Sequence, residues 1–271
     1  MASKLTRGFI YLAAAITFGS LFYVVGFILI KGIPYLNLDM FAWKYTTDNV
    51  SLMPSLITTL IVVGMTLVIA TPIGVFTGFY LVEYAKKGNK VVGIVRIATD
   101  TLAAVPSIVY GLFGMLFFVT FLNFQYSVLA GVLTSVIMVL PLIIRSTEEA
   151  LLAVNDSLRE ASFALGAGKL RTIFRVILPV SMPGILSGVI LASGRVVGET
   201  AALLYTLGSS TNLPDSLFSS GRTLALHMYV LSSEGMHVNE SYATGVILIV
   251  VVLMINGLST FLSNRLTKGT K

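Results

Sequence analysis

Apolar residues in this chain fall in long unbroken blocks, separated by shorter stretches where charge, proline and glycine collect. Six blocks stand out, at residues 9–30, 56–82, 105–122, 126–144, 183–205 and 242–262. Each supplies about 20 mostly apolar residues, the length a helix needs to cross roughly 30 Å of hydrocarbon. The runs lack the alternation of a barrel strand, and so predict six transmembrane helices in an all-α membrane fold. The first block is too long for the core of a secretory signal and lacks a small-x-small cleavage site, so it reads as a retained anchor. The connections differ in kind. Residues 31–55 carry Pro34, Tyr35, Trp43 and Tyr45, as a segment re-entering the interface does. Residues 83–104 mix charge with Val91, Val92, Ile94, Val95, Ala98 and Leu102, which predicts a short amphipathic helix leading into the third span. Residues 145–182 form the longest connection on one side, and 206–241 the longest on the other. No internal repeat or linker divides the chain, which reads as a single domain over 1–271.

Composition removes the alternatives to a membrane protein. Of the 271 residues, 56% are hydrophobic and only 11% charged, with a mean hydropathy of +0.91. A soluble domain carries about 25% charged residues, and a disordered chain needs low hydrophobicity with high net charge. Neither class fits. The absence of cysteine excludes a disulfide scaffold, thiol catalysis and Cys-based metal sites. The few charges then set orientation. With a cytoplasmic N-terminus, the inner side holds Lys4, Arg7, Lys86, Lys87, Lys90, Arg96, Arg145, Arg159, Lys169, Arg171, Arg175, Arg265, Lys268 and Lys271. The outer side holds only Lys31, Lys44 and Arg222, so the positive-inside rule puts both termini in the cytoplasm. The net charge of +6 is therefore a topology signal and not a nucleic-acid-binding patch.

Only Arg195 and Glu199 lie well inside a predicted span. A charge at mid-bilayer costs roughly 2.5–3.5 kcal/mol even on insertion scales, so such residues face a protein interior or a watery path. On a continuous helix, Glu199 stands one turn beyond Arg195 on the same face. The two residues can be a structural ion pair. Alternatively, Arg195 is a cationic station for an anion, since a guanidinium forks onto oxyanion geometry, with Glu199 tuning it. A buried pair kept only for structure is replaceable by apolar packing, which favours the second reading. The Gly184/Gly188 and Gly194/Gly198 registers predict close helix contacts around the pair.

Two further segments carry signals. In the inner connection, Asn155, Asp156 and Ser157 predict a helix stop and N-cap. A short helix through Glu160, Ala161 and Ser162 follows, ending at Gly166 or Gly168, and a second basic helix over 169–177 stops at Pro179. Such a helix suits either docking into a groove of a soluble partner or a plain surface hairpin. Pro106 marks a break before the third span, where free amides at Ser107 and Ile108 can meet an anion or simply start the helix after a bend. The stretch Gly166-Ala-Gly168-Lys169 lacks the spacing and the Ser/Thr of a nucleotide-binding loop, so ATP hydrolysis cannot come from this chain by that route. His227, Glu234 and His237 sit in the outer connection and read as a solvated loop without a metal.

The sequence Glu160-Ala-Ser-x-x-x-Gly166, followed by Val176-x-Leu178-Pro179, resembles the loop that marks the permeases of bacterial binding-protein-dependent ABC importers. Ser162 replaces an alanine of that pattern and Val176 an isoleucine. Val105-Pro-Ser-Ile-Val-Tyr-Gly-Leu-Phe-Gly114 and Arg195-Val-Val-Gly-Glu-Thr-Ala-Ala-Leu-Leu204 resemble the phosphate-importer permeases, and Glu199-Thr200-Ala201 is similar to their PstA type. Sulfate and molybdate permeases share part of this pattern and are the nearest alternative. An ion-coupled secondary transporter, with Arg195 and Glu199 as a proton relay, and a membrane scaffold are more distant ones. The resemblance implies a type I ABC-importer permease fold, in a multi-pass subunit of a bacterial or archaeal cytoplasmic membrane. It implies a coupling helix that docks an ATPase through Glu160, Ala161, Ser162, Gly166, Leu178 and Pro179. The partners it implies are a homologous PstC-type permease, two copies of an ATP-binding subunit, and an extracytoplasmic phosphate-binding protein. ATP would bind in the partner and no cofactor in this chain, while Arg195, Glu199 and Thr200 would line the substrate path.

Overall fold

The computed structural model describes residues 2–85 and 88–268. Lys86, Lys87 and Lys271, counted above on the inner side, lie outside the described residues, as do the side chains of Lys4 and Lys268. Among the described residues the structure is helical: α1 Ala2–Gly32, α2 Met53–Phe79, α3 Lys90–Ala103, α4 Ser107–Gly114, α5 Val128–Leu152, α6 Asp156–Ala164, α7 Lys169–Thr172, α8 Leu178–Val197, α9 Ala201–Leu204, α10 Leu224–Glu234 and α11 Val238–Lys268. Turns of π-helix extend α2 over Tyr80–Tyr84 and α4 over Met115–Phe121, and join α7 to α8 over Ile173–Ile177. Among the described residues, five helices are long and apolar enough to cross a membrane. The sixth candidate is a pair, Lys90–Ala103 and Ser107–Phe121, bent by 104°.

Helix α5 is the spine. In its most apolar stretch 61% of residues are buried, against none in α1. Its neighbours reach it through glycines. A Cβ on Gly74 or Gly78 of α2 would lie 2.7 Å from Ile143 or Thr147, and one on Gly188 of α8 would lie 2.3 Å from Ser146. Both helices therefore rest against the same half of α5 with their backbones close, the small-residue packing that membrane helices use in place of a hydrophobic drive. The N-terminus of α5 is closed from outside the helix. The Ser127 hydroxyl accepts from the Ala130 amide, while the amides of Ser127, Val128 and Leu129 donate to carbonyls of Thr206, Ser219 and Leu217. Helix α1 lies at the periphery and touches α11, with Gly32 against Tyr242 and the Phe27 and Tyr242 rings edge to face at 5.8 Å. The end of α1 thus meets the start of α11, and both termini leave the bundle at the same end.

The structure corrects the predicted elements in four places. The third span is only 15 residues, about 22 Å at 1.5 Å per residue, because Pro106 turns the chain out of α3 with extended backbone (φ −61°, ψ 142°). The fifth runs over Lys169–Val197, not 183–205. Pro179 does not stop it, since proline sits in the first turn of α8, where it displaces few backbone bonds and the preceding π-helical turn absorbs the misfit. Finally, Gly184 and Gly188 make the close contacts expected of them, but Gly194 has nothing within 4 Å of an added Cβ and Gly198 meets only its own helix. That face of α8 is open.

The two glycines therefore separate in their tolerance. Gly188→Leu should destabilise the chain by about 1–3 kcal/mol through overpacking against Ser146, whereas Gly194→Ala should change little. Thermal unfolding in detergent measures both.

Candidate functional site

The candidate anion site forms where α8 stops. Gly198 follows the last helical residue, Val197, and Thr200 leaves the helical region (φ −121°, ψ −53°). The Glu199 carboxylate, 8% exposed, then accepts a hydrogen bond from the Ala202 amide at 3.0 Å and starts the short turn α9. The helix continuity behind the expected Arg195–Glu199 pair is thus broken. Arg195 is half-buried and takes part in none of the ion pairs or hydrogen bonds among the described residues. Thr200 is half-buried on the rim of a hollow of about 510 Å³ that Ile108, Tyr205, Tyr229 and Tyr242 also line.

The two motif segments meet here. Gly111 of α4 presses on α9, where an added Cβ would lie 2.8 Å from the Ala202 Cα, and Gly114 is as tight against Thr134 and Thr206. Pro106 precedes the first residue of α4, the half-buried Ser107, and the Tyr110 hydroxyl spans the bend to donate to the Leu102 carbonyl at 2.7 Å. Helix α3, amphipathic as predicted, turns Val91, Ile94 and Ile97 outward. It is tied to α5 by the Arg96–Glu148 ion pair at 2.5 Å and the Asp100–Arg145 pair.

In the connection between α5 and α8, Asn155 caps α6 by accepting from the Ser157 amide at 3.0 Å. Gly166 ends it in the left-handed region (φ 78°), with Gly166 N–H donating to Phe163 O and Ala167 N–H to Ser162 O. That paired closure favours glycine because a side chain there strains the backbone. Ser162 shares a 2.8 Å hydrogen bond with Thr172, so the departure from alanine has a use: it fastens α6 to α7. Glu160, Ala161, Phe163, Ala164 and Leu165 are exposed, while Leu178 and Pro179 are half-buried at the start of α8.

Residues 70–268 match the family model described as the binding-protein-dependent transport system inner membrane component. The chain belongs to this family. It is a multi-pass permease subunit of an ABC importer, and both motif segments and α6 lie within the matched region. A probable ABC transporter permease protein, YqgI, of Bacillus subtilis (strain 168) is 33% identical over 99% of this chain and 97% of its own. The phosphate transport system permease protein PstA 1 of Mycobacterium tuberculosis (strain CDC 1551 / Oshkosh) is 39% identical over 73% of this chain and 66% of its own. The fold is shared with a bacterial alginate ABC transporter solved in complex with an alginate pentasaccharide-bound periplasmic protein, at TM-score 0.69, 15% identity and 98% coverage of both chains.

Three features of the permease were not anticipated from its sequence. The pairing of Glu83 with Arg159 joins residues 76 apart. Arg222 is 4% exposed and stacks over the Tyr45 ring at 5.1 Å. His227, expected in a solvated loop, is fully buried in α10 and edge-on to Tyr45, whereas His237 sits 3.8 Å from Glu240 at the start of α11. The loop signal failed because hydropathy registers polarity but not the depth at which a connection packs. Burial lowers the His227 pKa to about 3, helped by the charge of Arg222. Its ordinary value is 6.5, so between pH 6.5 and 3 the unfolded chain takes up a proton that the native chain refuses. Stability from this residue is complete above pH 6.5 and falls as the pH drops, by about 2 kcal/mol at pH 5. Thermal unfolding at pH 7.5 and pH 5 should show that loss in the wild type and a smaller one in His227→Gln.

Proposed function

We propose that this permease is the PstA-type half of the membrane path of an ATP-driven phosphate importer. The observation that carries the reading is Arg195: a guanidinium in the last turn of α8, without a carboxylate partner among the described residues, next in the chain to a glycine with open space beside it. A half-buried cation left unpaired at that depth needs an anion or water to complement it. Its planar fork matches two oxygens of a phosphate. Thr200 offers a hydroxyl donor beyond the end of α8, and Ser107 with the first amides of α4 a second polar station at the bend. Glu199 shapes the path by holding α9 in place. The PstA name of the M. tuberculosis relative supports phosphate as the anion.

The basic end of the bundle faces the cytoplasm, with both termini inside. There α6 is the coupling helix, and its exposed Glu160, Ala161, Ala164 and Leu165 fit a groove on an ATP-binding subunit. Two such subunits, a PstC-type permease and an extracytoplasmic phosphate-binding protein complete the importer, and ATP binds only to the partners. Closure of the ATPase dimer moves α6 and switches access to the path between the permeases.

In proteoliposomes holding the whole complex, Arg195→Gln should lower phosphate uptake about ten- to a hundred-fold, the worth of one charge-assisted hydrogen-bond set, with normal assembly. Arg195→Lys should retain part of the uptake as a point charge. Unchanged uptake kinetics in Arg195→Gln would remove Arg195 from the path, and ATP-linked uptake of sulfate or molybdate in place of phosphate would reassign the anion.

A further inference from the structure

We propose that Arg159 and Glu83 form a strut that carries the movement of α6 into α2, an inference that rests on the importer reading above. Arg159 lies in α6, yet its guanidinium points away from the exposed docking face and into the bundle. Its Nε and Nη2 donate to Glu83 Oε1 at 3.1 and 2.8 Å. Nη2 also donates to the Leu151 carbonyl at 3.0 Å, and Nη1 to the Val154 carbonyl and to Asp156 Oδ1, each at 3.0 Å. All five N–H groups of the guanidinium are therefore used. The side chains of Arg159 and Glu83 are 15% and 10% exposed, so water screens the pair little.

The partners belong to three different elements. Glu83 is in the π-helical turn that ends α2, Leu151 is in the last turn of α5 with Val154 just beyond it, and Asp156 opens α6. Helix α6 has little else to hold it. Its single buried residue is Ser162, whose hydroxyl reaches Thr172 on the side of α7 and α8. A push on α6 reaches α8 along the chain, through the left-handed Gly166 and through Ser162. Arg159 supplies the second route, to α2 and α5, and α2 in turn rests on α5 through Gly74 and Gly78. With both routes intact, the helices on either side of α5 move together. Without the strut, α6 drags α8 alone, and hydrolysis proceeds without an ordered change of the path. Arg159 is thus a positioning residue, set beside the docking residue Glu160 and acting through Glu83.

The test compares the ATP hydrolysed per phosphate imported by the whole complex in proteoliposomes, for wild type, Glu83→Gln and Arg159→Lys. Glu83→Gln keeps the shape and one acceptor oxygen and is the mild variant. The strut predicts normal assembly, ATP hydrolysis near the wild-type rate, and a ratio that rises about three- to thirty-fold, the range of residues that tune coupling. A merely structural pair would lower hydrolysis and uptake together and leave the ratio unchanged. That outcome, or failure of both variants to assemble, overturns the strut alone. A wild-type complex without ATP-linked uptake overturns the importer reading and the strut with it.

Discussion

Glu199 gives its carboxylate to the amide of Ala202, and much of the central architecture follows from that bond. On an unbroken helix, a glutamate four residues beyond an arginine lies within reach of it and cancels its charge. Here Gly198, a poor helix former, lets α8 end at Val197, and the carboxylate that could have neutralised Arg195 starts α9 instead. The segment after the break continues along α5 toward the start of that helix, from Ser146 opposite Gly188 to Gly131 opposite Leu203 and Leu207. It is pinned between α4 and α5 by contacts tight enough to require Gly111 and Gly114, with Leu203 and Leu207 packed closely against Gly131. The Thr206 carbonyl in the same segment receives the Ser127 amide at the start of α5. That hydrogen bond thus goes with a break in α8 that separates two charges and leaves a guanidinium unpaired among the described residues.

The two arginines best defined by their surroundings show opposite uses of one side chain. Arg159 has every N–H matched and is nearly enclosed, the arrangement of a fixed joint. Arg195 has no such partners and stands beside an open glycine, the arrangement of a cation awaiting an anion. The bundle keeps these roles at different levels. Joints occur at the basic end, where α3 and α6 are tied to α2 and α5 by ion pairs. The middle is held by backbone-close packing against α5, which needs no charge. The opposite end is closed by loop carbonyls and by Tyr45 under Arg222, with His227 kept neutral by burial.

What the sequence made legible was set by local physics. Apolar runs mark the spans, residues 155–157 signal a cap and Gly166 or Gly168 a stop, with the structure selecting Asn155 and Gly166, and the amphipathic α3 follows from its mixed apolar and charged pattern. The errors came where a local rule met a tertiary or backbone exception. Pro179 signals a helix end, yet a π-helical turn before it carries the helix through. Gly198 and Thr200 sit in an apolar run, so hydropathy extended the fifth span past its true end and made Glu199 a partner of Arg195. The Gly194/Gly198 spacing equals that of Gly184/Gly188, and only the position of α5 decides which pair is packed. The pairing of Glu83 with Arg159 is not legible, since nothing in a single sequence joins residues so far apart.

Because the chain contains no cysteine, one introduced thiol can report on the open side of α8 with no competing thiol in this subunit. The most direct measurement is the labelling rate of Gly194→Cys in the assembled importer, with methanethiosulfonate reagents of negative and positive charge, with and without phosphate. An unpaired Arg195 on an anion path predicts that the thiol is labelled from water, faster by the anionic reagent, and that phosphate slows the reaction. A thiol that stays unlabelled, or that reacts without regard to reagent charge and phosphate, would contradict the account.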